Sequence, residues 1–431
     1  MNSLSDKNVF VVPTADVTGC EDEYLVYAPL ADAMTLASWQ DCLALERALH
    51  DPSSAEAGTL AVLNSLLDGD SVRNRDGYVG HTHDFLLMYV LPNNICNFSC
   101  SYCFSAKGRG KGVLKISELK SALEWFIDPQ RTESRKLAIS YLGGGEPTLS
   151  WDVLKFGLTY GAELARKYGF EIYTTVVTNG SKITREMVEV FNMCHVGVRV
   201  SFEILPEIQN LQRAHYEDVC GGLDLLCECD IPPMVRSMIT PDNVCLLERM
   251  VEELHKRFPV VNHVLMDPIT SAETFKEVKA TREFYDLYYG HFIAARKLAE
   301  SLGITLDCAP IRNLELVVER FCTGEFCLTP QGTITICHQV SSPREQHYED
   351  FQYAYVDELT GKMVINEEKF QELKSRGTVY GNPKCKDCFI KWNCGGGCLM
   401  QSMQYSDEIQ DVVCDFTRRF SKYYLLERIE R

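Results

Sequence analysis

Apolar positions change their period several times along the chain, and the changes mark out its organisation. Val9-Phe10-Val11-Val12 and Tyr24-Leu25-Val26-Tyr27 are short runs of β-forming residues and predict two strands. Residues 38–49 and 55–67 instead repeat apolar positions at helical intervals, with Leu43, Leu45 and Leu49 in the first. Gly, Asp, Asn and His crowd residues 68–83, the composition of a linker. From Phe85 a new rhythm begins. Strand-like runs at 85–91, 137–142, 171–177, 196–202, 234–240 and 260–266 alternate with helical patterns at 116–127, 151–168, 183–193, 216–229, 243–258 and 281–302. Strands alternating with helices imply a parallel sheet with right-handed crossovers. The pattern fits a partial barrel of six units, and fits a doubly wound open sheet equally well. After residue 303 the alternation stops. The expected units are therefore an N-terminal α+β module (1–84), an α/β unit (85–302) and an irregular C-terminal region (303–431).

Composition narrows the function. Of 431 residues, 45% are hydrophobic and 24% charged, as in ordinary globular proteins. The 43 Lys and Arg against 60 Asp and Glu leave a formal charge of −17. A chain so acidic is a poor nucleic-acid binder and is not attracted to an anionic membrane surface. No apolar run reaches the ~20 residues that a bilayer span needs. The first residues lack a basic segment followed by a long apolar stretch, so no signal peptide is expected and a cytoplasmic location is.

Cysteine is the anomaly, with 19 residues, nine of them after residue 303. Disulfide frameworks belong to small secreted chains; clustered cysteines in a large chain point to metal or iron–sulfur binding. Directly after the first strand of the α/β unit come Cys96, Cys100 and Cys103, spaced Cys-x3-Cys-x2-Cys. Three thiolates on one tight loop can hold three irons of a 4Fe–4S cube and leave the fourth iron to a small molecule. A structural zinc site wants a fourth protein ligand, and the sequence offers none nearby. The second strand ends in Gly143-Gly144-Gly145-Glu146-Pro147, where glycines let backbone approach a ligand closely. Asn179 follows the third strand; Ser201 and Glu203, on one face, end the fourth. These positions lie at the C-terminal ends of strands, where parallel sheets and barrels put their ligands.

Together these motifs resemble the radical S-adenosylmethionine (SAM) enzymes. Cys96, Cys100, Tyr102 and Cys103 match the family's Cys-x3-Cys-x-aromatic-Cys element, and Gly144, Gly145, Glu146 and Pro147 its Gly-Gly-Glu-Pro element. The resemblance covers residues 85–300 or so and implies a partial (β/α)6 barrel. It implies a 4Fe–4S cluster on Cys96, Cys100 and Cys103, with the SAM amine and carboxylate on the open iron. Gly144, Gly145 and Glu146 would meet the amine, Asn179 and Ser201 the ribose or carboxylate, with Glu203 and Arg213 nearby. Tyr102 and Phe104 would flank the adenine. The chemistry implied is one-electron cleavage of SAM to methionine and a 5′-deoxyadenosyl radical, which abstracts hydrogen from a substrate, the electron coming from a donor such as flavodoxin or ferredoxin.

The later cysteines fall into Cys322-x4-Cys327-x9-Cys337 and Cys385-x2-Cys388-x5-Cys394-x3-Cys398, followed by Cys414. Taken alone, Cys385 to Cys398 has the spacing of a zinc knuckle; eight cysteines suit two four-ligand centres. The region resembles the SPASM extension of radical SAM maturases, with Gly332 ahead of Cys337. That resemblance implies two auxiliary 4Fe–4S clusters: Cys322, Cys337 and Cys398 on the first, and Cys385, Cys388, Cys394 and Cys414 on the second. The first cluster's fourth ligand is Cys327, Cys308 or an open position. Cys20, Cys42, Cys194, Cys220, Cys227, Cys229, Cys245 and Cys308 lie mostly in apolar helical patterns and are expected to pack as small hydrophobes.

Three functions compete. The first is maturation of a ribosomally made precursor peptide by an intramolecular C–C or thioether crosslink, with epimerisation and decarboxylation as rarer outcomes. The second is sulfatase-maturase-like oxidation of Cys or Ser to formylglycine; the third is a non-catalytic iron–sulfur scaffold. The long segment ahead of Cys96 favours the first, since strands followed by helices resemble the winged-helix-like modules that hold leader peptides. Sulfatase maturases commonly carry Asp directly after the cysteine matched by Cys337, and here His338 stands there. A histidine titrates near neutral pH and can accept a proton, although one satisfied by backbone is the plainer reading.

Overall fold

The computed structural model describes residues 3–75, 77–322 and 324–430; Met1, Asn2, Asp76, Thr323 and Arg431, which the expected units include, lie outside it. At the N-terminus β1 (Phe10–Pro13), β2 (Tyr24–Ala28) and β3 (Ala33–Ala37) form an antiparallel sheet in that order. The first two strands follow the expectation. β3 is Ala-Met-Thr-Leu-Ala, too poor in branched and aromatic residues to announce itself. The helix Trp39–His50 starts on a reciprocal cap: Ser38 Oγ accepts from Asp41 N at 3.2 Å while the Asp41 carboxylate takes Ser38 N at 3.1 Å. With the helix Ala57–Leu67 it covers one face of the sheet, where Val26 and Ala28 pack on Cys42, Leu45, Leu63 and Leu66. Phe10, Val12, Leu25 and Tyr27, on the other face, join the main core of the protein.

That main core is built on an 11-stranded sheet. Seven parallel strands, β4 (Leu87–Val90), β5 (Lys136–Tyr141), β6 (Glu171–Thr178), β7 (Gly197–Ser201), β8 (Met234–Ile239), β9 (His263–Pro268) and β10 (Thr305–Asp307), stand side by side in chain order. A doubly wound sheet reverses its strand order at a switch point; this one does not. Right-handed crossovers without reversal put every helix on one face, and the sheet curls into a partial barrel around the other. β7 shows the division: Val198 and Val200 are buried in the core, whereas Gly197, Arg199 and Ser201 face the other way and are less buried. β10 is a seventh strand that the sequence pattern hid, three residues long and beyond the expected boundary at 302.

On its other edge the barrel sheet continues into the cysteine-rich region. β11 (Phe326–Leu328) pairs in parallel with β4, Cys327 opposite Tyr89, and β12 (Thr333–Thr335), β13 (Gln352–Val356) and β14 (Met363–Ile365) follow antiparallel. Phe326 seals the junction. Its ring stacks on Trp125 at 4.7 Å and lies 6.0 Å from both Phe85 and Phe126. The C-terminal helix Asp407–Glu430 packs along Val278–Ser301 through Phe416, 4.6 Å from Tyr285 and 5.7 Å from Tyr288. The boundaries expected at 84/85 and 302/303 are thus changes of pattern rather than breaks in packing. No helix among the described residues is long and apolar enough to cross a membrane.

Candidate active site

The segment from Asn93 to Cys103 leaves the C-terminal end of β4 and is knotted to two neighbouring strand ends. Asn93 does most of the tying. Its amide donates to Glu146 O at 2.9 Å and Ser150 Oγ at 2.8 Å, while its carbonyl oxygen accepts from Ile95 N at 2.8 Å. Glu146 N donates to Ile95 O at 2.7 Å. A side chain on Gly145 would run into the Ile95 backbone, and one on Gly144 would stand 2.9 Å from Asn94 Nδ2. These two glycines are therefore required by the approach of the cysteine loop itself. Further along, Asn97 bonds Ser181 Oγ and Asn179 Nδ2, each at 2.9 Å.

The thiols of Cys96, Cys100 and Cys103 line a cavity of about 290 Å³ whose walls include Gly143 to Glu146, Asn179, Ser201, Arg213, Phe104 and His338. Burial raises the Cys96 and Cys100 thiols above the usual range. Two half-buried guanidiniums oppose that effect. Arg109 donates to Cys103 Sγ at 3.3 Å and also to Phe98 O. Arg213 sits in electrostatic range of Cys100 and donates to the Tyr102 hydroxyl at 3.0 Å. Nε of each arginine is buried without a hydrogen-bond partner. Cation charge beside thiolates fits the binding of a cluster, whose ligands must be deprotonated.

Glu146 and Glu203 are both buried and held by several donors. Glu146 is 3% exposed, and four donors occupy its carboxylate: Thr148 N at 3.1 Å, Thr148 Oγ1 at 2.7 Å, Thr178 Oγ1 at 2.6 Å and Asn179 N at 2.7 Å. It clasps the glycine loop to the end of β6, so what the loop offers the cavity is chiefly main chain. Asn179 is also committed, its carbonyl oxygen accepting from Ser181 N and Oγ. Glu203 lies behind the wall and not on it. It is 0% exposed and accepts from Tyr102, Ser237 Oγ at 2.5 Å and Met238 N at 3.0 Å. Desolvation pushes its pKa up, with Arg213 pulling the other way. Tyr102 is thus clamped by Glu203 and Arg213 as part of the cavity's frame. Phe104 is free to meet a ligand, at 52% exposure. Ser201 lines the cavity as expected from its strand end.

His338 closes the side facing the C-terminal region, edge-on to Phe104 at 5.7 Å. The partner of its ring is a carboxylate, not backbone: Nδ1 is 2.8 Å from Glu325 Oε1, and the main-chain N–H of His338 donates to Oε2 at 2.5 Å. Burial favours the neutral ring, but Glu325 outweighs it and holds the pKa above the ordinary value.

Seven of the later cysteines gather as two groups. Cys337 lies in electrostatic range of Cys322 and Cys398. Cys385, Cys388, Cys394 and Cys414 likewise surround one another. Burial raises Cys322 and Cys385 to about 11 and Cys394 to about 12. Cys385, Cys388, Cys394, Cys398 and Cys414 line a second cavity of about 260 Å³. Among the described residues no group of three or more His, Cys, Asp or Glu is set to hold one metal ion. A tetrahedral zinc site would draw its sulfurs to roughly 3.8 Å from one another, given a Zn–S bond of about 2.3 Å; a cube spreads its ligands wider, and the cysteine-lined cavity has the room for one. Cys327 is fully buried in β11, beside Cys337 and Glu325; like Cys322 and Cys337 it lines neither cavity. Cys308 packs elsewhere, against Tyr288 at the start of the helix Ala309–Asn313. Neither Arg109 nor Glu325 stood out in the sequence; the only signal for Arg109 is its place between Gly108 and Gly110, just past the third cysteine.

Residues 90–254 match the model of the Radical SAM superfamily. In fold the chain resembles anSMEcpe with bound AdoMet, at a TM-score of 0.61 and 17% identity over 80% of this chain and 98% of the other. It also resembles Streptococcus suis SuiB bound to precursor peptide SuiA, at a TM-score of 0.53 and 14% identity over 93% of this chain and 97% of the other. No curated protein sequence matches it.

Proposed function

The chain carries a radical SAM domain, and on that premise we propose that it matures a ribosomally made precursor peptide by forming an intramolecular C–C or thioether crosslink. The observation that carries this reading is the meeting of two cysteine-lined cavities, which share Arg236, Met238, Thr270 and Gln339 in their walls. A peptide segment held there touches both. The similar structures point the same way: SuiB was solved with precursor peptide SuiA, and anSMEcpe with AdoMet and Cp18Cys peptide.

In this reading Cys96, Cys100 and Cys103 hold a 4Fe–4S cluster, which with S-adenosylmethionine supplies 5′-deoxyadenosyl radical chemistry. The chain's own contributions are position and shielding. Main chain at Gly143 to Gly145 receives the methionine ammonium group, Ser201 and Asn179 border the rest of the cofactor, and Phe104 covers it. Arg109 and Arg213 offset negative charge at the thiolates. Cys322, Cys337 and Cys398, and Cys385, Cys388, Cys394 and Cys414, would hold two auxiliary clusters, whose chemistry when bound is one-electron transfer. Cys327, in electrostatic range of Cys337, would complete the first set. An electron donor of the flavodoxin or ferredoxin type completes the cycle in a reducing cytoplasm. The leader segment pairs with the outer edge of β3, beside which Leu36, Trp39 and Leu43 are exposed.

Anaerobic mass analysis tests the proposal. Protein reconstituted with iron and sulfide would meet SAM, reductant and the small peptide encoded beside its gene. The expected product has lost two hydrogens per crosslink and shows a fragmentation gap between the joined residues. A single aldehyde-reactive residue would favour formylglycine formation instead, and intact SAM would overturn the radical reading altogether.

A further inference from the structure

The junction between the two cavities carries an excess of positive charge, and nothing in the proposed reaction uses it. Arg236, near the middle of β8, lines both cavities and is 45% exposed along its side chain. Arg312, from the helix Ala309–Asn313, lines the second. Both lean on one carboxylate. Arg236 Nη2 is 3.1 Å from Asp267 Oδ2, and Arg312 Nη2 is 3.8 Å from Asp267 Oδ1. That oxygen is better satisfied by Ala309 N, at 2.7 Å. Arg312 Nη1 is buried without any hydrogen-bond partner, and so is Asp267 Oδ2 apart from its ion pair. Of the other cations of the second cavity, Lys384 pairs with Asp411 at 2.7 Å and Arg418 with Asp415 at 2.5 Å, while Lys391 turns away to Lys386 O at 3.2 Å and the Phe10 ring at 5.4 Å. Two guanidiniums against one carboxylate leave an unfilled place for one negative group, in a chain whose net charge of −17 otherwise repels anions.

We propose that Arg236 and Arg312 form a carboxylate-binding subsite, which selects a substrate peptide bearing Asp or Glu next to the residue that reaches the first cavity. A guanidinium presents its donors in a planar fork that matches a carboxylate, so the pair reads geometry as well as charge. This rests on the peptide-maturase reading for its substrate class but makes its own demand.

The test uses reconstituted holoenzyme and two rhodamine-labelled octapeptides of Gly and Ser, one with a single central Glu and one with Gln there. Fluorescence anisotropy should give roughly ten- to hundred-fold tighter binding of the Glu peptide, as a charge-assisted contact implies. Arg236→Gln with Arg312→Gln should abolish that preference while iron per chain is unchanged. Asp267→Asn, which removes the competing carboxylate and keeps the oxygen that accepts from Ala309, should widen it; this variant keeps the proposal open to refutation where the double variant fails to fold. Equal binding of both peptides, no binding of either up to millimolar concentration, or a preference that survives the double substitution would overturn the subsite. Loss of iron in the double variant with unchanged preference would mean that the arginines only balance cluster charge. Formation of 5′-deoxyadenosine from SAM and dithionite, measured on the same sample, reports separately on the radical reading.

Discussion

Replacing Glu146 by Gln separates two views of the glycine-rich loop. If the carboxylate is a clasp, the cost follows from its four donors. A glutamine oxygen at the Oε1 position still accepts from Thr148 N, Thr148 Oγ1 and Thr178 Oγ1, and the new amide nitrogen then faces Asn179 N. One charge-assisted bond is lost, and a buried N–H is left facing another donor. At about 1–3 kcal/mol for each effect, and with partial relaxation, the local cost is about 3 kcal/mol. That corresponds to roughly a hundred-fold rise in local opening. Amide hydrogen exchange of the cluster-free protein reads it directly: protection at Asn179, Glu146 and Ile95 should fall by about two orders of magnitude, while strands such as β8 are unaffected. SAM binding to the reconstituted protein should weaken in parallel, because the loop is no longer held. Unchanged exchange accompanied by lost SAM binding would refute this reasoning and return the carboxylate to the role of a direct ligand.

Other expectations follow from the same geometry. Cys100→Ala should abolish formation of 5′-deoxyadenosine, whereas Cys388→Ala should spare it at first and lose peptide product, both read by chromatography and mass analysis. Tyr27→Phe removes a buried hydroxyl that donates to Asn393 Oδ1 at 3.0 Å; the loss of about 1–2 kcal/mol should lower the midpoint of thermal unfolding. Phe326→Ala empties the aromatic seam between barrel and cysteine-rich region and should cost about 3–5 kcal/mol, seen as an earlier denaturant transition. A charge on the sheet edge, Leu36→Asp, should weaken leader binding without affecting SAM cleavage, as anisotropy with a labelled leader would measure.

How much of this was legible depended on the range of the interaction. The βα units were readable because period and turn residues are local, and the elements fall within a few residues of the expected bounds. Cys96, Cys100 and Cys103 were readable because one short loop carries all three. The strand order was not: nothing in the local pattern of 85–302 chooses between a reversing and a sequential sheet. Nor was the pairing of β11 with β4, since Phe326 and Met88 are distant in sequence and each run of apolar residues is only a few long. At the cavity the residue types were legible but their duties were not. Glu146 and Glu203 stood out because they are charged and stand at strand ends; their hydrogen bonds to Thr148, Thr178, Tyr102 and Ser237 depend on positions that no local pattern carries. Asn93 and Asn97 bind the loop through side-chain amides, and an asparagine in a loop reads equally well as a turn residue.

The parallel ladder between β4 and β11 has a consequence for anyone who would divide this protein. β4 has β5 on one side and β11 on the other, and its residues Met88 and Val90 are wholly buried. A chain cut after residue 302 would keep every element of the barrel up to β9, yet would leave β4 with a row of bare amides and carbonyls beside an uncovered apolar surface. An edge of that kind recruits another chain. The cysteine-rich region is therefore also the barrel's edge guard, and a fragment that keeps β4 covered must reach at least through β11.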